Sequence, residues 1–172
     1  MDAPIQHTVC QEPVYQQLFF AHARHVRNFL CYKGAGSDEA EDLMQEAFLR
    51  LWRECDKVPN EKAKSFLFRV ANNLFLDAKK HEKVVLRFQQ ISPNTDREEQ
   101  DPHFLLETSE LQQKLEAAIN QLPEKQREVF LMNRMDKMTY SEIADRLELS
   151  VKAVEKRMSQ ALVEMRKVLQ GV

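Results

Sequence analysis

Glycine is nearly missing from this chain: there are three in 172 residues, at positions 34, 36 and 171. That scarcity leaves little room for the turns of a sheet protein and, with abundant Leu, Ala, Glu, Lys and Gln, favours an all-helical fold. No apolar run approaches the ~20 residues that a membrane-spanning helix needs. The start, residues 1–7, lacks the basic and apolar regions of a secretory signal. Cysteine occurs three times (10, 31, 55) without a CxxC pair, which fits reduced thiols and argues against a disulfide framework. These absences together predict a cytoplasmic chain. A net charge of −2 also lacks the excess of bases that marks a simple nucleic-acid binder.

The charge is segregated, however. Residues 38–56 carry a net −5, residues 57–89 a net +5, residues 92–110 a net −5 and residues 151–169 a net +3. Two basic patches between acidic segments suggest two DNA-facing surfaces and at least one surface for another partner.

Helical periodicity and breakers divide the chain further. Residues 1–13 read as a loose tail. Helices are expected over 14–32, ended by the Gly34-Ala35-Gly36-Ser37 stretch, and from a cap at Ser37 or Asp38 to about Cys55. A long helical stretch then runs from Lys62 or Lys64 to about Phe88. Residues 90–107 are polar, acidic and punctuated by Pro93 and Pro102, the composition of a flexible linker. Beyond it, 109–121 reads as a helix with Leu111, Leu115, Ile119 and Leu122 on one side, and Pro123 suits the first turn of the next. The expected architecture is all-α: a helical domain over 14–89, the linker, and a four-helix domain over 108–172.

The last domain carries the most specific local pattern. Thr139 and Glu142 have the spacing of a capping box, Ile143, Ala144 and Leu147 share a side, and Ser150 can cap a second helix. Val154, Met158, Ala161, Met165 and Val168 then form an apolar stripe, with Lys152, Lys156, Ser159 and Gln160 opposite and Glu155 and Arg157 on the flanks. This is a helix-turn-helix, whose second helix reads the major groove.

In the amino-terminal domain, Ala40, Leu43, Ala47, Phe48, Leu51 and Trp52 make a stripe that leaves Glu41, Asp42, Gln45 and Glu46 outside it. By themselves such acids are ordinary solvated surface. In the next helix Phe66, Leu67, Val70, Ala71, Leu74 and Ala78 supply a core face. Arg69, Asn72, Asn73, Lys79 and Lys80 supply polar groups suited to single-stranded DNA. Phe68 and Phe75 could stack bases or pack inside, and packing is the better expectation for each ring.

Three stretches in order resemble one family, the bacterial RNA polymerase sigma factors of the extracytoplasmic-function class, in forms similar to those of Bacteroidetes. Residues 42–48 resemble its polymerase-binding motif, 66–74 its −10 promoter segment, and 122–130 with 138–144 and the helix from Ser150 its −35 reader. The resemblance implies that Asp42, Gln45 and Glu46 meet the clamp coiled coil of the polymerase β′ subunit, with the β flap as a second contact. It implies that Asn73, between Asn72 and Leu74, helps capture a flipped −10 base while Arg69, Lys79 and Lys80 hold phosphates. Lys152, Glu155, Lys156 and Gln160 fall where the family reads −35 bases, with Arg157 and Ser159 beside them. Relatives with arginine at the positions of Glu155 and Gln160 should prefer other −35 sequences. An anti-sigma partner is implied; a catalytic residue, cofactor, metal or small-molecule substrate is not.

Two rivals stand beside this reading. One is a self-sufficient helix-turn-helix regulator, which predicts tight binding to a palindrome without polymerase. The other is a metal site using His22, His25 and Cys31, which lacks a convincing fourth ligand.

Overall fold

A computed structural model of the protein describes residues 8–89 and 110–169, and among these all regular structure is helical. The expected linker, 90–107, lies outside the described residues, as does most of the expected tail. Three helices form the amino-terminal half: α1 (Glu12–Lys33), α2 (Ser37–Arg53) and, after a single 3-10 turn at Asn60–Lys62, α3 (Ala63–Gln89). The carboxy-terminal half holds α4 (Glu110–Gln121), α5 (Glu124–Arg134), α6 (Tyr140–Leu147) and α7 (Val151–Leu169).

α1 stops at Gly34, whose φ of 107° is left-handed, and the amides of Gly34 and Ala35 close on Cys31 O and Leu30 O. A side chain at 34 would strain that backbone. The expected cap at Ser37 does not form. Gly36 takes the cap position, and the Ser37 hydroxyl accepts from Arg27 Nη2 at 2.8 Å. α3 is one unbroken helix.

The amino-terminal core is aromatic. Phe29 meets Phe68 at 5.2 Å between centroids, Phe19 meets Phe48 at 4.9 Å, and Tyr15 donates to Phe48 O at 3.0 Å. Phe68 and Phe75 are 1% and 3% exposed, so both rings belong to the interior and not to a base-stacking surface. The carboxy-terminal core is built from Val129, Met132, Ile143, Val154, Met158, Ala161 and Met165. Leu115, expected on the inner side of its helix, is exposed, and Ala118 occupies the interior instead.

Local capping fixes the helix-turn-helix. Thr139 Oγ1 accepts from Glu142 N at 3.2 Å, and Glu142 Oε2 accepts from Thr139 N at 2.8 Å. The Thr139 N–H, and the Thr139 hydroxyl donating to the same oxygen at 3.0 Å, hold the Glu142 carboxyl below its ordinary pKa. Ser150 Oγ accepts from Ala153 N at 3.1 Å, starting α7. Between the two helices Glu148 sits at φ 53°, left-handed without being glycine.

Two features were not expected. First, Cys10 and Cys55 form a disulfide across 45 positions, where free thiols were expected. A turn closed by Gln11 N on Thr8 O returns the start of the described chain to the end of α2, and Val9 beside it is fully buried. That anchors the last residues of the expected tail. Second, the two halves pack against each other, α5 on α1 and α6 on α3.

Candidate nucleic-acid interface

Three outward faces concern function. On α2 the side opposite the core presents Asp42, Gln45, Leu49 and Trp52, all exposed, with Glu46 half-buried beside them. Glu46 accepts from Arg50 Nε at 3.1 Å and lies 3.7 Å from Arg53. Trp52 was expected in the buried stripe. It is 42% exposed, held edge-on against Tyr15 at 4.9 Å, while Met44, earlier on the helix, is buried. Leu49 was not anticipated at all, although its seven-residue offset from Asp42 puts it on the acidic side. The face is therefore acidic with an apolar centre, which suits a protein partner more than DNA.

The second face lies on α3. Arg69, Asn73, Leu76 and Lys80 recur at three- and four-residue intervals and are exposed. Asn72 turns toward the carboxy-terminal half and is half-buried in the cleft between the halves. Lys79 is half-buried too, 3.0 Å from Glu82 and 3.6 Å from Glu39, with Phe75 under its ammonium. Of the five expected −10 residues, three share one row and two lie at its edge. Arg69 is 3.3 Å from Glu148 Oε1, so one end of the row already has a carboxylate partner.

The third face is on α7. Lys152, Glu155, Lys156, Ser159 and Gln160 are all exposed. Of these, Lys156 and Gln160 border a groove shared with Pro123, Lys125 and Gln126 around the start of α5. Arg157 departs from expectation: it is half-buried and donates to Glu128 Oε1 at 3.1 Å, a carboxylate only 7% exposed. Its guanidinium braces α7 against α5, where the sequence suggested a DNA contact. Burial pushes the Glu128 carboxyl up, with Lys33 and Arg157 opposing.

The histidines weighed as metal ligands lie on α1. Burial lowers His22 to a pKa of about 4, helped by the charges of Arg146, Lys64 and His25. Cationic neighbours disfavour a metal ion as well as a proton. No group of three potential ligands occurs among the described residues.

Comparison with known proteins gives the family that the resemblance implies. Residues 18–84 match Sigma-70 region 2, and residues 112–165 match Sigma-70, region 4. The ECF RNA polymerase sigma factor SigE of Mycolicibacterium smegmatis is 28% identical over 161 residues, 91% of this chain, which spans 62% of that relative. The ferric citrate uptake sigma factor FecI of Escherichia coli is 29% identical over 157 residues, 86% of each chain. Among solved structures, the sigma factor RpoE of Bartonella quintana, in complex with the anti-sigma factor NepR, shares the fold. It matches at a TM-score of 0.63 and 19% identity, over 91% of this chain and 96% of that one. With both regions present in order over more than half its length, the chain belongs to the sigma-70 family, in the extracytoplasmic-function class of promoter-recognising transcription initiation factors.

Proposed function

We propose that the chain works as two units, 14–89 and 108–172, that dock on core RNA polymerase and carry it to −10 and −35 promoter elements. Asp42, Gln45 and Glu46 engage the β′ clamp coiled coil, with Leu49 and Trp52 adding apolar contact at the centre of the face. The β flap takes the second unit. Arg69, Asn73 and Lys80 follow the −10 strand, with Asn72 and Lys79 at the edge, and Lys152, Glu155, Lys156, Ser159 and Gln160 face the −35 groove. The observation that carries this reading is the arrangement of acidic–apolar, basic and mixed polar faces on α2, α3 and α7, inside the two matched regions.

The chemistry is binding without catalysis. Extruding a −10 base costs a few kcal/mol of lost stacking, which a pocket for the base offsets. Two weak DNA contacts become useful when polymerase holds both units, because tethering raises their effective concentration. The chain therefore acts in the cytoplasm with the polymerase, and no described helix is long and apolar enough to cross a membrane. An anti-sigma factor is the proposed regulator, as NepR is for its Bartonella partner.

The decisive experiment is transcription in vitro from a genomic fragment library with purified core polymerase. Start-site-selective transcripts are expected with the protein and not without it; their absence would refute the reading. The double variant Asp42→Ala/Glu46→Ala should lose core polymerase in a pull-down while its helical circular dichroism is unchanged.

A further inference from the structure

A covalent bond in the amino-terminal half stands at odds with the place where bacterial transcription occurs. Cytoplasmic thiols are kept reduced, and a disulfide there is usually transient, catalytic or redox-sensing. Cys10–Cys55 is a disulfide of that setting. The free thiols expected from the sequence and the bond found in the structure then describe two states of one pair.

The surroundings of the bond fit exchange more than permanence. Exposed disulfides are the labile and regulatory ones. Cys10 is exposed and Cys55 half-buried, and both line a surface groove of about 800 Å³ together with Thr8, Lys57, Pro59 and Asn60. An incoming thiol can reach the sulfurs without unfolding the chain. Contacts other than the bond also hold the two ends in place. Val9, beside Cys10, is fully buried, and Gln11 N donates to Thr8 O at 3.0 Å. On the other side Cys55 N donates to Trp52 O at 3.4 Å and Lys57 N to Glu54 O at 2.9 Å. The Cα atoms are 5.0 Å apart, so while these contacts last, parted thiols keep a high effective concentration and can close again.

What the bond joins gives it a consequence. It ties the turn before α1 to the end of α2, three residues past Trp52. Trp52 rests on Tyr15, whose amide donates to Gln11 O at 2.9 Å and whose hydroxyl donates to Phe48 O. The rim of the α2 face is thus built from the two segments that the sulfurs crosslink.

We propose that Cys10–Cys55 is a reversible thiol–disulfide exchange site, reduced by a dithiol and re-formed by a peroxide, whose closed form fixes the Tyr15–Trp52 rim of the α2 face. In reduction a thiolate of the dithiol attacks Sγ of Cys10, the more exposed sulfur. A mixed disulfide forms as the Cys10–Cys55 bond breaks, and Cys55 leaves as a thiolate that takes a proton from water. The second thiolate of the dithiol then displaces Cys10, so two electrons have passed from the dithiol to the pair. In oxidation the Cys10 thiolate attacks the peroxide O–O bond and becomes a sulfenic acid, and the departing oxygen leaves as water after protonation. The Cys55 thiolate displaces the sulfenic hydroxyl, which leaves as a second water, and the bond is restored. Reducing conditions loosen the rim; an oxidant tightens it and strengthens docking. The cytoplasmic setting and the docking consequence rest on the sigma-factor reading, whereas the exchange chemistry rests on the bond's own surroundings.

The full native chain tests this. After incubation with dithiothreitol, thiols are trapped with a maleimide and located by mass. Neither Cys10 nor Cys55 should be modified before reduction and both should be after it, with helical circular dichroism retained. Equimolar hydrogen peroxide should restore the bond once the reductant is removed. A bond that yields only in denaturant, or thiols that peroxide carries to sulfinic acid in place of the disulfide, would overturn the exchange site. On reduction, amide hydrogen exchange should rise about tenfold over residues 9–15 and 50–57 and stay the same in α5–α7. Cys55→Ser, or Cys10→Ser where that variant misfolds, should exchange like the reduced chain under either condition. Cys31→Ser, which removes the free thiol, should switch as the native chain does. Exchange at the rim that ignores reduction would overturn its dependence on the bond. Core polymerase should bind the oxidised chain about three- to tenfold more tightly, because an ordered rim loses less freedom on docking. Equal affinity in both states would overturn the link to docking. No affinity in either state would refute the polymerase reading of the face alone, since trapping and hydrogen exchange use no polymerase.

Discussion

The two halves are held together by different means. The amino-terminal half packs Phe29, Phe48, Phe68 and Phe75 into one interior and closes a 45-residue separation with Cys10–Cys55. The carboxy-terminal half has mostly smaller and softer residues inside (Val, Ile, Leu, Ala and Met, with Phe130 at the margin), and two of its helices start at the caps of Thr139 and Ser150. Aromatic interlocking holds the proposed polymerase and −10 faces at fixed positions. Methionine fills irregular gaps and adapts, which leaves this half more yielding than the aromatic one.

The largest effect that would break this contrast comes from the interior. Phe68→Ala should cost about 3–5 kcal/mol, and Met158→Ala about 2–5 kcal/mol. Hydrogen exchange followed helix by helix should show the first loosening α1–α3 and the second α5–α7; equal loosening everywhere would erase the distinction. Next, opening the Cys10–Cys55 bond with a reductant, or by Cys55→Ser, should remove up to about 4 kcal/mol, the chain-entropy value for a loop of this length. Denaturant melts should place that loss in the amino-terminal half alone. On the α7 face, Lys156→Ala and Gln160→Ala should each alter discrimination at a −35 base by about 1–3 kcal/mol, read as a changed promoter profile. Thr139→Ala should cost about 1 kcal/mol and affect only the carboxy-terminal half.

A pH effect sharpens the comparison at the seam. His22 is held near pKa 4 against an ordinary 6.5, so its neutral form is the one compatible with packing beside Arg146 and Lys64. Above about 6.5 the imidazole is uncharged in either state and contributes nothing. As pH falls from about 6.5 to about 4 the unfolded state takes up the proton first, and the fold weakens. Glu128, raised by burial, acts in the opposite sense. Denaturant melts at pH 7.5 and pH 5 should therefore show a loss of stability in the native protein that is smaller in His22→Asn.

How much of this was legible in advance follows from distance along the chain. The Thr139–Glu142 box, the Ser150 cap and the Val154–Met165 stripe depend on neighbours within a turn or two, and they stand where the pattern put them. Periodicity shows that a helix has an apolar side but not how many sides are covered. Phe68 and Phe75 are interior because α3 packs on α1 and α2. Trp52 is half-exposed because its ring lies against Tyr15 of α1 at the rim of the interior and not within it. Arg157 turns inward because Glu128, 29 positions earlier, is buried and needs a cation. The pairs of Lys33 with Glu124 and Glu128 span 91 and 95 positions and Cys10–Cys55 spans 45, separations at which no local pattern operates. For the site, the residue types and faces were readable; which members share a row, and that Leu49 joins the acidic face, needed the folded chain.

The unbroken course of α3 sets a length. From Arg69 to Lys80 the row advances eleven residues, ~16 Å at about 1.5 Å per residue. Measured against a strand stacked at about 3.4 Å per nucleotide, that is about five nucleotides. A straight rod makes a short ruler: on the proposed −10 role it would grip about half a turn of melted strand, and any longer bubble would fall to the polymerase itself.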